Sequence, residues 1–171
     1  MWEKVNTLLE QYIGGQIFFT ELDKAVKFDI KILTQLMGSV YEFYNDRKHR
    51  HVLTIASGEI GLAMHNMGIS VDFLVPGGLR FDPSKINLEP FADTIEGREF
   101  VFVDDSYFSG RTVAVVREEI ERLGGHFLGT FVAYDGSKIK EPDVHALYRY
   151  YDHHDVLGRP LTLSKEGVAN D

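Results

Sequence analysis

Two adjacent carboxylates, Asp104 and Asp105, precede a short run of small and hydroxyl-bearing residues, Ser109–Thr112. The apolar run Phe100–Val103 comes directly before the acids and predicts a buried strand. In a parallel α/β sheet, ligands bind at the carboxyl ends of the strands, so the acids and the small residues are expected at a ligand site. Backbone amides that begin a helix have no partner within it and suit an anion, most often a phosphate. The spacing therefore predicts a site for a phosphorylated ligand.

The elements around this run repeat one order of strand, turn and helix. After Thr112 the apolar residues recur at spacings of three and four, which predicts a helix that Gly124-Gly125 ends. An earlier predicted strand, His51–Ile55, leads into Ala56-Ser57-Gly58-Glu59 and a second helix. Two such units predict an α/β fold whose small-residue turns lie at one edge of a mainly parallel sheet.

The segment Val101–Thr112 resembles the ribose-phosphate signature of type I phosphoribosyltransferases. That signature has an apolar run, two acids, two or three variable positions and then [ST]-G-x-[ST]; Ser106 stands here at a place that is usually apolar. The phosphate loop of nucleotide hydrolases is excluded, because no G-x-x-x-x-G-K-[ST] spacing occurs. A helix cap and turn after an ordinary strand is the alternative interpretation. The resemblance implies a three-layer, Rossmann-like fold with a mainly parallel central sheet, in a single domain over residues 1–171.

The resemblance also implies an activity. Family members transfer a phosphoribosyl group from phosphoribosyl pyrophosphate to a nitrogenous base and release pyrophosphate. By this resemblance, Asp104 and Asp105 would be the catalytic acids, which accept hydrogen bonds from the ribose hydroxyls and favour the positive charge that develops on the ribose. Magnesium would be the cofactor that bridges the ribose hydroxyls and the pyrophosphate. The residues that would bind the 5-phosphate are Phe108, Ser109, Gly110, Arg111 and Thr112.

Two further segments correspond to family features. The turn after the first strand is similar to the pyrophosphate loop, with Ala56, Ser57, Gly58 and Glu59. The charge of Glu59 favours a helix amino end but repels a pyrophosphate unless magnesium intervenes. The segment Leu79–Gly97 corresponds to a flexible loop that closes over the substrate, and its candidate ligand-binding residues are Arg80 and Lys85. Acidic residues outnumber basic ones there, unlike the basic loop of orotate-type enzymes, which leaves substrate and catalysis open.

Several positions bear on the acceptor. Enzymes for 6-oxopurines resemble Glu-Asp-x-x-Asp-[ST]-G, and Phe108 here replaces the third acid, which disfavours a hypoxanthine- or guanine-specific enzyme. The Phe108 ring either stacks on a base or fills core space beneath the loop. Asp135 ends an apolar strand and is the candidate for a base-side contact. His153 and His154 are adjacent, so their side chains point apart and do not favour a shared metal ion.

Composition restricts the remaining function classes. The formal net charge of −8 argues against binding along a nucleic-acid backbone. No apolar run reaches the roughly 18 residues that a membrane helix needs. The sequence has no cysteine, so disulfides and thiolate metal sites are excluded. We therefore expect a cytoplasmic protein whose partners are small molecules, with a homodimer left open.

Base specificity in the family lies in a hood built from poorly patterned terminal segments. Here those segments are residues 1–28 and 136–160, and residues 158–171 are expected to form a flexible tail. The residues of these segments do not identify the base or the pathway. A second hypothesis is a non-catalytic regulatory protein that binds phosphoribosyl pyrophosphate or a nucleotide on the same fold.

Overall fold

The computed structural model describes residues 2–27, 29–45, 52–66, 68, 71–75, 82–155 and 157–161. The strands of this part are β1 (Val52–Ser57), β2 (Phe73–Val75), β3 (Glu99–Tyr107), β4 (His126–Asp135) and β5 (Val144–Arg149). Its helices are α1 (Trp2–Ile13), α2 (Phe19–Lys27), α3 (Ile30–Asn45), α4 (Gly58–Asn66), α5 (Ala92–Ile95) and α6 (Arg111–Arg122). Within the described ranges, each helix is too short or too polar for a transmembrane span.

The five described strands form a single parallel sheet in the order β2-β1-β3-β4-β5. Alternating residues of β3 face two separate cores, because successive side chains of a strand point to opposite faces. Phe100 and Phe102 are buried on the face that α6 covers. Val101 and Val103 are buried on the face that α1 to α4 cover. The predicted three-layer α/β fold with a parallel central sheet is confirmed.

Strand β3 is longer than the apolar run that predicted it. It continues past Asp104 and Asp105 to Tyr107, because the added residues pair with β4, with Ser106 opposite Tyr134. The sequence interpretation that ended the strand at Val103 was therefore wrong. The two acids therefore lie within the paired strand, before the turn at residues 108–110.

The predicted loop at Ala56-Ser57-Gly58-Glu59 is also absent as a separate segment. Ala56 and Ser57 are the last residues of β1, because they pair with β2 through Leu74 and Val75. Helix α4 then begins at Gly58, so the amides of the predicted pyrophosphate loop belong to a strand end and a helix start.

The predicted flexible loop is folded against α6 over its described part, residues 82–97. Ile86, Leu88 and Ile95 are buried in the core between this segment and the sheet. The Leu88 amide donates a hydrogen bond to Glu119 of α6 at 3.1 Å. Apolar burial therefore holds a segment whose sequence shows no periodicity. Residues 76–81, which include the candidate Arg80, lie outside the described residues.

Helix α2 is held to the sheet by one apolar face. Leu22 and Val26 are four residues apart and fully buried in the core beneath β3. Their neighbours Asp23 and Lys27 have the same spacing and therefore share a second face of the helix. Docking of the apolar face directs this charged pair towards the acids of β3.

Replacing Leu22 with alanine should lower the free energy of unfolding by about 2–5 kcal/mol, because the change leaves a cavity between α2 and the sheet. The matched control is Leu62→Ala on α4, whose side chain is 55% exposed. It should change stability by only about 0.5 kcal/mol. Urea unfolding followed by circular dichroism measures both variants, and equal losses would contradict the docking of α2.

Candidate functional site

The order of the described strands changes direction between β1 and β3. The chain leaves β1 towards β2 on one side and returns past β1 to β3 on the other. In open parallel sheets, a crevice for ligands opens at the carboxyl ends of the strands at such a switch point. The register sets Ala56 beside Val103, directly before the acids. The two motifs predicted from the sequence therefore meet at this crevice.

The turn between β3 and α6 depends on Gly110. Its φ of +70° is a left-handed conformation that favours glycine, and a Cβ here would collide with the Tyr107 hydroxyl. Gly110, the residue before α6, has no side chain with which to cap the first amides of the helix. Ser109 is exposed, and its hydroxyl accepts only a long hydrogen bond of 3.4 Å from the Arg111 amide. The amino end of α6, with Thr112 in its first turn, is thus open to an anion.

Asp104 and Asp105 differ in exposure although they are adjacent. Asp105 is 5% exposed, and its carboxyl group lies within hydrogen-bonding reach of Asp23 on α2. Asp104 is half-buried, and its Oδ1 accepts a hydrogen bond from the Asp105 amide at 2.8 Å. Asp104 is therefore the acid that a ligand in the crevice reaches without any movement of α2.

The carboxyl groups of Asp23 and Asp105 form a coupled pair. Burial, followed by the charge of Asp104, raises the pKa of Asp105 to about 7. Burial and the contact with Asp105 raise the pKa of Asp23 to about 7 as well. Asp105 Oδ2 is buried with no hydrogen-bond donor among the described residues. A proton on one of the two groups removes their repulsion, so we expect the pair to hold a proton near neutral pH.

Lys27 connects this carboxyl pair to the amino end of α4. Its Nζ lies 2.7 Å from Glu59 Oε2 and 3.2 Å from Asp23 Oδ1. Burial opposes the charge of Lys27, but hydrogen bonding to Glu59 and the charges of Asp105 and Asp23 outweigh it and raise the pKa of the lysine. A charged ammonium is therefore held at the crevice across the physiological pH range.

Phe108 belongs to an aromatic cluster. The distances between its ring centroid and those of Tyr12, Phe19 and Tyr134 are 5.3, 5.9 and 5.8 Å, in edge-to-face geometry. The ring also lies against Gly136, where any Cβ would collide with it. Of the two interpretations of Phe108, the structure favours the one in which the ring fills core space beneath the turn.

Asp135 is buried and paired with Arg149 of β5. Arg149 Nε donates to Asp135 Oδ2 at 3.1 Å, and the Ser137 amide donates to Oδ1 at 2.7 Å. Burial raises the pKa of Asp135, while these donors favour its charged form. The carboxylate thus holds the connection between β4 and β5, and its base-side role stays a prediction.

The segment 82–97 approaches the turn through an acid rather than through its predicted base. Arg111 Nη2 lies 3.6 Å from Asp82 Oδ1, in a largely exposed ion pair. Lys85 is exposed in the 3-10 turn Pro83–Lys85. Contact between this segment and the turn is therefore made by Asp82, and a ligand-binding role for Lys85 stays a prediction.

The adjacent histidines make separate contacts. His154 is buried, its ring stacks on Tyr150 at 4.1 Å, and its Nε2 lies 3.0 Å from Glu10 Oε1 of α1. His153 stacks on Tyr148. The contact between His154 and Glu10 attaches the segment after β5 to α1.

Among the described residues, no three His, Asp or Glu side chains are close enough together to hold a metal ion. Magnesium commonly keeps several waters and binds through phosphate oxygens with few protein ligands. Asp104, half-buried at the crevice, is an oxygen donor that a ligand-bound magnesium would meet there, and magnesium as a cofactor stays a prediction.

Sequence reasoning missed Asp23 and Lys27. An acid and a base four residues apart on a helix usually form an exposed ion pair, so their spacing carried no sign of a site. The burial of Leu22 and Val26 decides their direction, and that burial depends on which surface α2 packs against.

Comparison with known proteins gave structural matches only. No family model matches the sequence, and no curated protein matches it either. Solved structures that this chain resembles include phosphoribosyltransferases. A hypoxanthine-guanine phosphoribosyltransferase from Bacillus anthracis is 15% identical, with 72% of this chain and 79% of that chain covered and a TM-score of 0.47.

Two more matches have the same character. The enzyme from Leishmania tarentolae, solved in complex with GMP, is 15% identical, with coverages of 70% and 73% and a TM-score of 0.47. An adenine phosphoribosyltransferase from Rhodothermus marinus is 14% identical, with coverages of 72% and 82% and a TM-score of 0.43. At such identities and TM-scores these structures add no argument about the site, which depends on the geometry of this chain.

The carboxyl pair should make the protein less stable as the pH rises from about 5 to about 8. The folded-state pKa values of Asp23 and Asp105, about 7, lie above the ordinary value of 3.8. The folded state therefore binds more protons than the unfolded state in this range, and the stabilisation is lost as the pair ionises. Urea unfolding at the two pH values should show a difference on the order of 1 kcal/mol.

The variant Asp23→Asn keeps a hydrogen-bond donor beside Asp105 but removes one titrating group, so its pH dependence should be smaller. Asp93→Asn, at an exposed position of α5, is the control and should behave as the original protein. The same pH dependence in all three proteins would exclude the shared proton.

Replacing Gly110 with alanine should destabilise the protein by about 1–3 kcal/mol, because the left-handed backbone is strained for alanine and the Cβ meets Tyr107. Gly38→Ala is the control: it lies within α3, has open space around a Cβ, and should stabilise the protein by about 0.5–1 kcal/mol. Thermal and urea unfolding measure both changes. Loss of stability in the Gly38 variant alone would contradict this geometry.

Proposed function

We propose that the protein binds phosphoribosyl pyrophosphate in the crevice between β1 and β3 and transfers the phosphoribosyl group to a nitrogenous base. The observation that carries the proposal is the position of Val101–Thr112. The segment that resembles the family's signature lies at the switch point of a 2-1-3-4-5 sheet, with an uncapped helix amino end behind it.

The 5-phosphate binds at the amino end of α6. Its oxygens accept hydrogen bonds from the free amides of the first turn and from the hydroxyls of Ser109 and Thr112. Charge-assisted hydrogen bonds of this kind contribute about 1.5–3 kcal/mol each, so three or four of them determine how the sugar lies in the crevice. Arg111 is exposed and remains free to move from Asp82 towards the phosphate.

Asp104 accepts a hydrogen bond from a ribose hydroxyl, and its charge favours the positive charge that builds on the ribose. Asp105 reaches the sugar only when α2 moves away. The amides at Gly58 and Glu59 bind the pyrophosphate, whose bond to the ribose breaks as the bond to the base nitrogen forms. That nitrogen then loses its proton to water. Magnesium, when bound on the substrate, would supply charge that neutralises the leaving pyrophosphate.

A second candidate is a regulatory protein that binds phosphoribosyl pyrophosphate or a nucleotide without turnover. Two observations favour it. The Asp105 carboxyl group is hydrogen-bonded to Asp23, and the Phe108 ring is packed within the aromatic cluster. Both side chains lie where the resemblance expects contacts to ribose and base. Such a protein would use the crevice for recognition alone.

Phosphoribosyl pyrophosphate with magnesium should raise the melting temperature, since a ligand that binds only the folded state stabilises it. At about 100 times its Kd the ligand adds about 2.7 kcal/mol, which corresponds to a rise of several degrees. Asp104→Asn should weaken binding about tenfold or more, through loss of a charge-assisted hydrogen bond, whereas Asp93→Asn should not.

The absence of any shift with phosphoribosyl pyrophosphate, ribose 5-phosphate or nucleoside monophosphates would refute the site. Release of pyrophosphate across a panel of purine and pyrimidine bases separates the two candidates. Turnover with one base supports the transferase, and binding without turnover supports the regulatory protein.

A further inference from the structure

We propose that Lys27 of α2 is the residue that binds the diphosphate of the ligand, and that Glu59 occupies its place in the free protein. The inference rests on the proposed function, because it assumes that a diphosphate enters the crevice. It supplies a positive charge to the pyrophosphate subsite, because the predicted turn at residues 56–59 contains no basic residue.

The need for such a residue follows from the charges near α4. A diphosphate carries several negative charges, yet the only charged residue of the predicted pyrophosphate turn at 56–59 is the acid Glu59. Lys85 lies on a separate 3-10 turn, and Arg80 lies outside the described residues. Helix amides by themselves provide only about half a unit of positive charge. A cation from another described element would balance part of the ligand's charge, in addition to that of any magnesium that the ligand carries.

Lys27 meets this requirement by position. Its Nζ is 2.7 Å from Glu59 Oε2, so the ammonium lies at the amino end of α4 although 32 residues separate the two in sequence. The Lys27 side chain is only 13% exposed, which fixes the ammonium in one place. The helix that carries it is anchored by buried Leu22 and Val26. The cation is therefore prepositioned rather than mobile.

Glu59 shows what the ammonium can bind. Its carboxylate is an anion that belongs to the first turn of α4 and lies 2.7 Å from Lys27 Nζ, and its side chain is 72% exposed. An ion pair with one partner so exposed contributes little net stability. A diphosphate oxygen can take the same position while Glu59 turns into water. Glu59 therefore acts as an internal competitor for the anion site.

The groups that face Lys27 are acids, and a shared proton limits their repulsion of an anionic ligand. Asp23 comes from its own helix and Asp105 from β3, and Asp104 lies next to Asp105. A proton shared by Asp23 and Asp105 leaves that pair with a single negative charge, which Lys27 balances. With Glu59 turned away, the negative charge left beside Lys27 is that of Asp104, and the α4 amides add partial positive charge. The alternative, that Lys27 only neutralises the carboxyl pair, predicts a loss of stability without any loss of diphosphate affinity.

Isothermal titration of the full chain with inorganic pyrophosphate and magnesium tests the proposal, with ribose 5-phosphate titrated separately. Lys27→Met should weaken pyrophosphate binding about 10-fold to 100-fold, the effect of one charge-assisted hydrogen bond. Affinity for ribose 5-phosphate should stay within about twofold, because that ligand binds at α6. Lys27→Arg should retain most pyrophosphate affinity, and Lys24→Met, at an exposed position of the same helix, should retain all of it.

A second variant keeps the test decisive if Lys27→Met fails to fold. Glu59→Gln changes an exposed side chain and should tighten pyrophosphate binding about threefold to tenfold, through removal of the competitor. In a folded Lys27→Met background the same change should give a smaller gain, since no ammonium is left to release.

The outcomes separate this inference from the proposed function. Pyrophosphate affinity that is unchanged in Lys27→Met, or that is absent in the folded original protein, overturns the role of Lys27. Failure of Glu59→Gln to tighten binding also overturns it. Ribose 5-phosphate that does not bind, while pyrophosphate binds in a Lys27-dependent manner, contradicts the proposed function and leaves the role of Lys27 supported.

Discussion

The ammonium of Lys27 lies among carboxyl groups from three elements, and the arrangement of the crevice depends on this contact. Asp23 belongs to the same helix, Asp105 to β3 and Glu59 to α4. Removing charges from water is unfavourable, so a group of this kind persists only when each charge has a partner close by. The cluster thus joins α2 to β3 and to α4, the helix that directly follows β1. Movement of α2 would change the charge of the crevice and the exposure of Asp105 together.

Apolar packing supplies the rigidity that the ionic cluster requires. Leu22 and Val26 hold α2 in place, and the aromatic cluster around Phe108 joins α1 and α2 to the turn before α6. The contact between His154 and Glu10 adds an attachment from the C-terminal segment to α1. Helices α1 and α2 and the segment around Tyr150 therefore cover the same face of the sheet, and a hood role for them stays a prediction. They do so by filling space with side chains.

The side chains around the crevice differ in whether protein contacts already satisfy them. The groups suited to a sugar phosphate are presented to the crevice: Asp104, the exposed Ser109 and the uncapped amides of α6. The groups that resemblance would set beside a base, Phe108 and Asp135, are satisfied by protein contacts. The ribose-phosphate half of the proposed site is thus formed, whereas the acceptor half is filled by side chains. A transferase would require Phe108 and Asp135 to move and admit a base, whereas a regulatory protein would not.

The sequence by itself determined the alternation of β3, the glycine at position 110 and the apolar face of α2, because each of these depends on residues close together in the chain. It also showed that acids and small residues would occupy one sheet edge, since a parallel fold brings strand ends together. Only the tertiary structure decided that Asp105 turns towards Asp23, that Lys27 reaches Glu59, and that residues 82–97 pack on α6. Periodicity reveals which face of a helix is apolar, but the element against which that face packs is chosen by the energetics of the whole core. The direction of a charged neighbour such as Lys27 follows from that choice.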